Sequence, residues 1–334
     1  MQCTVQDVEN FVARRGLLSI LREVSEYILQ AYKDDWNQFD KKERVAFYTK
    51  DGPIELMPIC DDYFFSVKYV NCHNKNPSMN LLSVVGLGIM SSTITGYPIF
   101  VSEMTLLTAI RTAATSALVG KYLMPKHSKK MAIIGNGAQC EFQALAFYCI
   151  CGIKDIYLFD IDNEAMNKAK KHLQTLMNVY ECASIEDAVH DADVVTTCTN
   201  VDCHANLLSF DFLKENVHVN AVGGDRPGKT ELDRRILDHA KIFVEFEPQT
   251  RIEGEIQIGH FNTVELHDLF NDENFKRDGI TVYDSVGFAL EDYCILKYMH
   301  DATVGENNSH FLPRPDNPKD LFSCIVKNGS DVHF

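Results

Sequence analysis

The sequence predicts an α/β fold in which a doubly wound parallel sheet follows an N-terminal α+β region. Three observations point there. From Lys130 to Phe246 short apolar runs alternate with helical patterns, the mark of a parallel sheet built from β-α units. The run "MAII" enters a Gly135-Asn136-Gly137 turn that opens a helical stretch. Between Val45 and Phe100 short apolar runs are instead broken by Asp, Gly, Pro and Asn, the texture of an antiparallel sheet.

The elements follow in order. From Val5 to Tyr32 apolar residues recur at helical spacing (Val8, Phe11, Val12, Leu17, Ile20, Leu21, Val24, Ile28), interrupted at Gly16. Strands are expected in "RVAFYT", "GPIELMPI", "YFFSVKYVN", "LLSVVGLGIM" and "GYPIFVSE". "MTLLTAIRTAATSALVGKY", from Met104 to Tyr122, has no Pro and reads as one helix. The alternation then runs strand "KMAIIGNG", helix "QCEFQALAFYCICG" closed by Gly152, strand "IKDIYLFD" and helix "NEAMNKAKKHLQTLM". A short strand "YECAS", helix "IEDAVHDA", strand "DVVTTCT" and helical turn "FDFLKEN" come next. Strand "VHVNAVGG", helix "ELDRRILDHA" and strand "KIFVEF" complete it. The expected domains are 112–299 for the parallel sheet and 1–111, joined by 300–334, for the second unit. The stretch from Asn307, rich in Pro, Asn and Asp, is expected to wrap back over the first domain or fray.

Composition narrows the function classes. Of 334 residues 46% are hydrophobic and 24% charged, an ordinary globular balance. The net charge of −15 argues against a nucleic-acid surface, which is usually basic. No apolar run approaches the ~20 residues needed to span a membrane. The N-terminus carries early acids and no long apolar core, unlike a secretory signal. The 11 cysteines include no CxxC pair and no zinc-like spacing, so buried reduced thiols, no metal and a cytoplasmic location are expected.

The Gly135 turn carries the first chemistry. Its first glycine permits the tight turn, the second lets backbone approach a pyrophosphate, and the helix start supplies free N–H groups. The third fingerprint position is Cys140, small but not Gly or Ala. "IYLFD" ends in Asp160, about 25 residues after Gly135, near the ~20 of the fingerprint. A carboxylate there accepts from the ribose hydroxyls and repels a 2′-phosphate, which favours NAD over NADP. Residues Gly135, Asn136, Gly137, Ala138, Gln139 and Asp160 therefore form the expected cofactor site of a Rossmann-type domain. Thr199 and Asn200, at the end of "DVVTTCTN", would border its nicotinamide side.

Four more charges stand out. Glu55, Lys68 and Arg111 lie in apolar or strand-like surroundings. Each reads equally well as the solvent-facing side of an amphipathic element. Asp225 differs, because it follows a strand and two glycines at the end where α/β folds bind ligands. Cys72 and His73, next to Asn71, read either as lining the site or as surface-turn residues, and the surface turn is preferred.

Several segments resemble the ornithine cyclodeaminase/mu-crystallin family. They are "DGPIELMP", "VKYVNCHNKNP", "GYPIFVSEMTLLTAIRTAATSALVGKYL", "AIIGNGAQCEFQALAF", "DIYLFDID" and "NAVGGDRPGKTELD". The match runs from about Arg44 to Asp292, and the segment around "SEMTLLTAIRTAAT" is highly specific. The resemblance implies a homodimer built on the N-terminal α+β domain and conversion of L-ornithine to L-proline and ammonia with a recycled NAD. It places Arg44, Lys68 and Arg111 on the substrate α-carboxylate, Glu55 on the side-chain amine with Met57 beside it, and Asp225 as acid/base. It adds Val84, Thr112, Val286 and Gly287 to the cofactor lining. Glu55 favours a diamine, although a lysine cyclodeaminase differs by one methylene, worth only ~1–3 kcal/mol of discrimination. A ketimine reductase or amino-acid dehydrogenase would use the same fold for net redox. A mu-crystallin-like binding protein would not turn over, and the presence of Lys68, Arg111 and Asp225 together argues against it.

Overall fold

The structure is a computed structural model and describes residues 2–303, 312–313 and 318–319. The expectation for the chain beyond Asn307 therefore falls almost wholly outside the described residues. The N-terminal part opens with β1 (Gln2–Cys3), α1 (Val5–Arg15) and α2 (Leu17–Lys33). Thr4 and Asp7 close a reciprocal capping box on α1, and Gly16, at φ +83°, breaks the two helices apart. Then come β2 (Asp40–Lys41), β3 (Val45–Thr49), β4 (Gly52–Cys60), β5 (Phe64–Cys72), β6 (Val84–Ser92) and β7 (Pro98–Glu103). They form a 7-stranded sheet in the order β1-β7-β6-β5-β4-β2, with β3 also on β4. The strands run antiparallel except β1, which joins β7 in parallel.

Register sorts this sheet into two faces. Val45, Leu56, Tyr69 and Leu87 lie side by side and are all exposed. Met57, Lys68, Gly88 and Ser102 form an inward row, and Glu55 lies two residues from Met57 on the same face. A one-residue slip would send Lys68 and Glu55 outward, so the pairing fixes both.

Helix α3 (Thr105–Leu123) is buried along most of its length, and small residues let several elements approach it. It touches α2 on one side and elements of the parallel sheet on the other. The expected boundary at 111/112 falls within it.

The parallel unit contains β8 (Lys130–Ile134), α4 (Cys140–Ala146), β9 (Asp155–Phe159), α5 (Asn163–Leu173) and β10 (Asn178–Glu181). It continues with α6 (Ile185–Val189), β11 (Val194–Thr197), β12 (His204–Leu208), β13 (His218–Ala221) and β14 (Thr230–Leu232). After α4 the chain tightens into a π-type turn, Phe147–Cys151, which Gly152 ends at φ +77°. The alternation legible in the sequence stops at α7 (Arg234–His239) and β15 (Ala240–Val244). The structure extends it with α8 (Glu247–Glu253), β16 (Thr263–Glu265), α9 (Leu266–Asn271), β17 (Ile280–Asp284) and α10 (Ala289–Thr303).

Eight strands pair in parallel in the order β10-β9-β8-β11-β13-β17-β15-β16, while β12 and β14 pair apart. Strands β11, β13 and β17 are buried at every residue, whereas edge strand β10 is mostly exposed. Helices on both faces explain the unbroken apolar runs. The chain order reverses between β8 and β11, and α/β sheets bind ligands at such a switch point.

Helix α10 leaves the parallel sheet and packs on α2, α3, β4, β5 and β6. Gly88 permits this, because a Cβ there would lie 2.8 Å from Leu296 Cδ2. Asp292, one turn before Leu296, thereby reaches Lys68, the strand neighbour of Gly88. The ten cysteines among the described residues are free thiols. Only Cys3, Cys140 and Cys294 are fully buried and Cys203 is exposed, so uniform burial is corrected: most of these thiols sit at element edges. Among the described residues no helix is long and apolar enough to cross a membrane.

Two glycines separate steric from conformational cost. Gly135 has φ +93° and its Cβ would meet the Cys198 carbonyl oxygen at 2.7 Å, whereas Gly152, also left-handed, has open space around it. Gly152→Ala should cost about 1–2 kcal/mol. Gly135→Ala should cost roughly 1–3 kcal/mol more. Equal costs in chemical denaturation would contradict the steric role.

Candidate active site

The turn after β8 is built as a dinucleotide cradle needs. Cys140 is wholly buried, so the small side chain at the third fingerprint position seats α4 on the sheet. Gly137 and Ala138 are exposed, and a Cβ at Gly137 would meet nothing within 4 Å. Asn136 is buried and Gln139 half-buried. Asp160 follows β9, and its carboxylate accepts from the backbone N–H of Asn136 at 2.5 Å and of Asp162 at 2.9 Å. Ionised carboxylates have about four lone-pair sites, so capacity remains for ribose hydroxyls. Lys168 on α5 donates to the carbonyls of Asn136 and Gly137 at 3.1 and 3.2 Å. These residues fit a bound NAD. Thr199 leans on buried Glu231 through its N–H at 2.9 Å, and Asn200 is exposed beside it.

Arg111 and Lys68 meet on a different carboxylate. Lys68 Nζ donates to Asp292 Oδ1 at 2.8 Å, and Arg111 Nε donates to the same oxygen at 3.0 Å. Arg111 Nη1 donates to Glu291 Oε2 at 2.8 Å, and Tyr32 donates to Glu291 Oε1 at 3.2 Å. All five residues are buried. Burial lowers the Lys68 ammonium to about 8 against the pull of Asp292. Burial pushes Glu291 up to about 8, with Arg111 opposing. For Arg111 burial disfavours the charge, yet Asp292 and Glu291 raise its pKa overall. The two cations thus share the acids Asp292 and Glu291 in one buried cluster, with Glu245 adding to the pull on Arg111. Two neighbouring cations offer the charged N–H donors that a carboxylate ligand binds.

Arg44 organises a second group. Its Nη1 donates to Glu55 Oε2 at 3.0 Å, and its Nη2 donates to the carbonyls of Val286 and Gly287 at 2.6 and 2.8 Å. Its Nε lies 3.0 Å from Glu253 Oε2. Burial opposes the Arg44 charge, and Glu253 and Glu55 raise its pKa overall. Here two carboxyls share one cation, so this end favours a positive partner. Met57 is buried beside Lys68 in the sheet register.

Gly287 joins the groups. It has φ +75°, and a Cβ there would lie 2.8 Å from Arg111 Nη1. Its N–H donates to Glu245 at 3.1 Å, and its carbonyl accepts from Arg44 and from Gln249.

Asp225 lies in the loop after β13, with its side chain 36% exposed and Lys229 Nζ donating to it at 3.2 Å. Cys72 closes β5, pairs with Val84 in the register and is half-buried. Burial pushes its thiol up to about 11, with Asp225 next among the causes. The surface-turn reading of Cys72 is corrected accordingly: β6 covers one side and the Asp225 loop faces it. Thr112 is buried in α3 next to Arg111. The sequence reading missed Glu253, Glu291, Asp292, Glu245 and Lys229. Two of them, in "GFALEDYC", had a signal: adjacent acids inside an apolar run.

The geometry agrees with the comparisons. The model of the ornithine cyclodeaminase/mu-crystallin family matches residues 5–307. An ornithine cyclodeaminase of Agrobacterium fabrum is 43% identical over 333 residues, covering 97% of this chain and 94% of the relative. The solved structure of a lysine cyclodeaminase, studied for its recognition of L-lysine, L-ornithine and L-2,4-diaminobutyric acid, superposes with a TM-score of 0.88 at 24% identity. That match covers 96% of this chain and 97% of the other. An archaeal alanine dehydrogenase dimer with bound NAD superposes with a TM-score of 0.83 at 25% identity, covering 93% and 98%. A shared fold, a family match over most of the chain and near-complete coverage on both sides have one reading: the chain belongs to the ornithine cyclodeaminase/mu-crystallin family.

Proposed function

We propose that the protein is an NAD-dependent ornithine cyclodeaminase, an ammonia-lyase that converts L-ornithine to L-proline. One observation carries this reading: two buried cations, Lys68 and Arg111, lie on one side of a carboxylate-rich group at Arg44, Glu55 and Glu253. Glu55 and Lys68 share a sheet face as diagonal neighbours, roughly 7–8 Å apart. A substrate with a carboxylate at one end and an amine at the other suits that polarity. The name and 43% identity of the Agrobacterium relative support ornithine in particular.

NAD, when bound at the Gly135 turn, would supply the acceptor and then the donor of one hydride. The chain's own groups do the rest. Lys68 and Arg111 hold the α-carboxylate, with Arg44 bracing that side through Val286 and Gly287. Such positioning supplies much of a rate enhancement. Glu55 receives the distal ammonium. Asp225, half-exposed at the strand ends, exchanges protons with the reacting α-nitrogen. Val84, Thr112 and Thr199 line the nicotinamide side in this reading.

A homodimer follows from the outer face of the first sheet. The exposed row Val45, Leu56, Tyr69 and Leu87 is larger than a scatter of single apolar residues, and a second copy would cover it. The free thiols are compatible with a reducing, cytoplasmic setting.

Purified protein given L-ornithine and substoichiometric NAD should yield equal ammonia and proline with no net NADH. Steady NADH accumulation would make it a dehydrogenase instead. Asp225→Asn should lower kcat by roughly 100-fold or more while calorimetry finds NAD affinity unchanged. Near-normal turnover would remove Asp225 from proton transfer. Leu87→Asp should halve the mass seen by light scattering. A mass unaffected by that charge would place the interface elsewhere.

A further inference from the structure

The carboxylates around Arg44 exceed what one guanidinium can satisfy. Glu253 ends α8, and its side chain is 2% exposed. Among the described residues Glu253 Oε2 accepts no hydrogen bond, because Arg44 Nε is near but not aligned with it. Glu55 Oε1, on a side chain 6% exposed, also has no hydrogen-bond partner among the described residues. Two buried carboxyl oxygens thus lack donors on either side of one arginine. The end of α8 is held in place, because a Cβ at Gly254 would lie 2.5 Å from Asp284 Oδ2. An unpaired buried acceptor is costly, and an ammonium, with three N–H donors, is the kind of partner these oxygens lack.

Resting on the cyclodeaminase reading above, we propose that Glu253 is the second carboxylate of the distal-amine pocket and accepts the proton that this amine must lose before it attacks. The step moves one proton: the bound ammonium and the Glu253 carboxylate become a neutral amine and a carboxylic acid. The freed lone pair on nitrogen is then the nucleophile for ring closure. Asp225 remains available for the α-nitrogen, so the two amines are served by different acids. The electrostatics agree. Burial pushes Glu253 up to about 7 against the pull of Arg44, with Glu55, Asp225 and Glu43 adding to the rise. Tyr48 on β3 is a further titratable neighbour. A base near neutrality suits proton transfer from an amine.

The test uses the whole protein with NAD. Wild-type kcat/KM for L-ornithine should rise with pH through about 7, where Glu253 loses its proton. Glu253→Gln should lower kcat/KM roughly 100-fold and abolish that rise, with NAD affinity unchanged, and Glu253→Asp should restore part of it. A Gln variant with the wild-type KM, kcat and pH profile would overturn the proposal. Should the Gln variant fail to fold, calorimetry on the wild type decides. With NADH in place of NAD, so that no hydride is taken, affinity for L-ornithine should then rise more steeply through the same pH range than that for L-norvaline, which lacks the distal amine. Parallel profiles for the two ligands would overturn it equally. A wild type that never turns over L-ornithine would instead defeat the cyclodeaminase reading itself.

Discussion

One carboxylate, Asp292, holds the Lys68 and Arg111 side of the site together. It accepts from Lys68 on β5 and from Arg111 on α3 while riding on α10. Three elements distant in sequence therefore converge on one oxygen. Burying two cations without it would leave charges that cost several kcal/mol each. The surrounding packing follows from that need. Gly88 admits α10, Gly287 leaves room for the guanidinium, and Tyr32 adds a donor to Glu291.

The two charge groups differ in kind although they are neighbours. Around Arg111 a second cation, Lys68, shares the Asp292 carboxylate. Around Arg44 the carboxyls predominate. A low-dielectric interior strengthens both preferences, so the orientation of a ligand is set before any chemistry begins. The turn at Gly135 stands apart from both groups and needs only backbone, a buried Cys140 and the strand-end Asp160.

What was legible in the sequence is local. The Gly135 turn, Asp160 and the alternation up to β15 are contiguous patterns, and periodicity reads such patterns directly. The inward side chains of Glu55 and Lys68 were ambiguous, because alternation does not say which face is covered; the approach of α10 decides it. Strand β17 follows a polar loop, "NDENFKRDG", and inserts between β13 and β15, a long-range placement that no local pattern announces. Glu253 and Asp292 escaped notice for the same reason. Their partners, Arg44 and Lys68, lie about two hundred residues earlier in the chain, and only the fold joins them.

Several glycines near the strand ends have acids in the space a side chain would take. Gly223 borders Glu231, Gly224 borders Glu255 and Gly254 borders Asp284. Each acid in turn serves the backbone: Glu255 accepts from the N–H groups of Glu231 and Leu232, and Asp284 from those of Glu255 and Ile256. The glycine and the acid are thus one unit of shape spread over two positions. Their substitutions should be epistatic: a methyl group at Gly224 that is harmful beside Glu255 becomes sterically tolerable once that carboxylate is shortened. Sequence drift at these positions is then confined to paired moves, and the strand ends beneath the site should change more slowly than their burial alone would require.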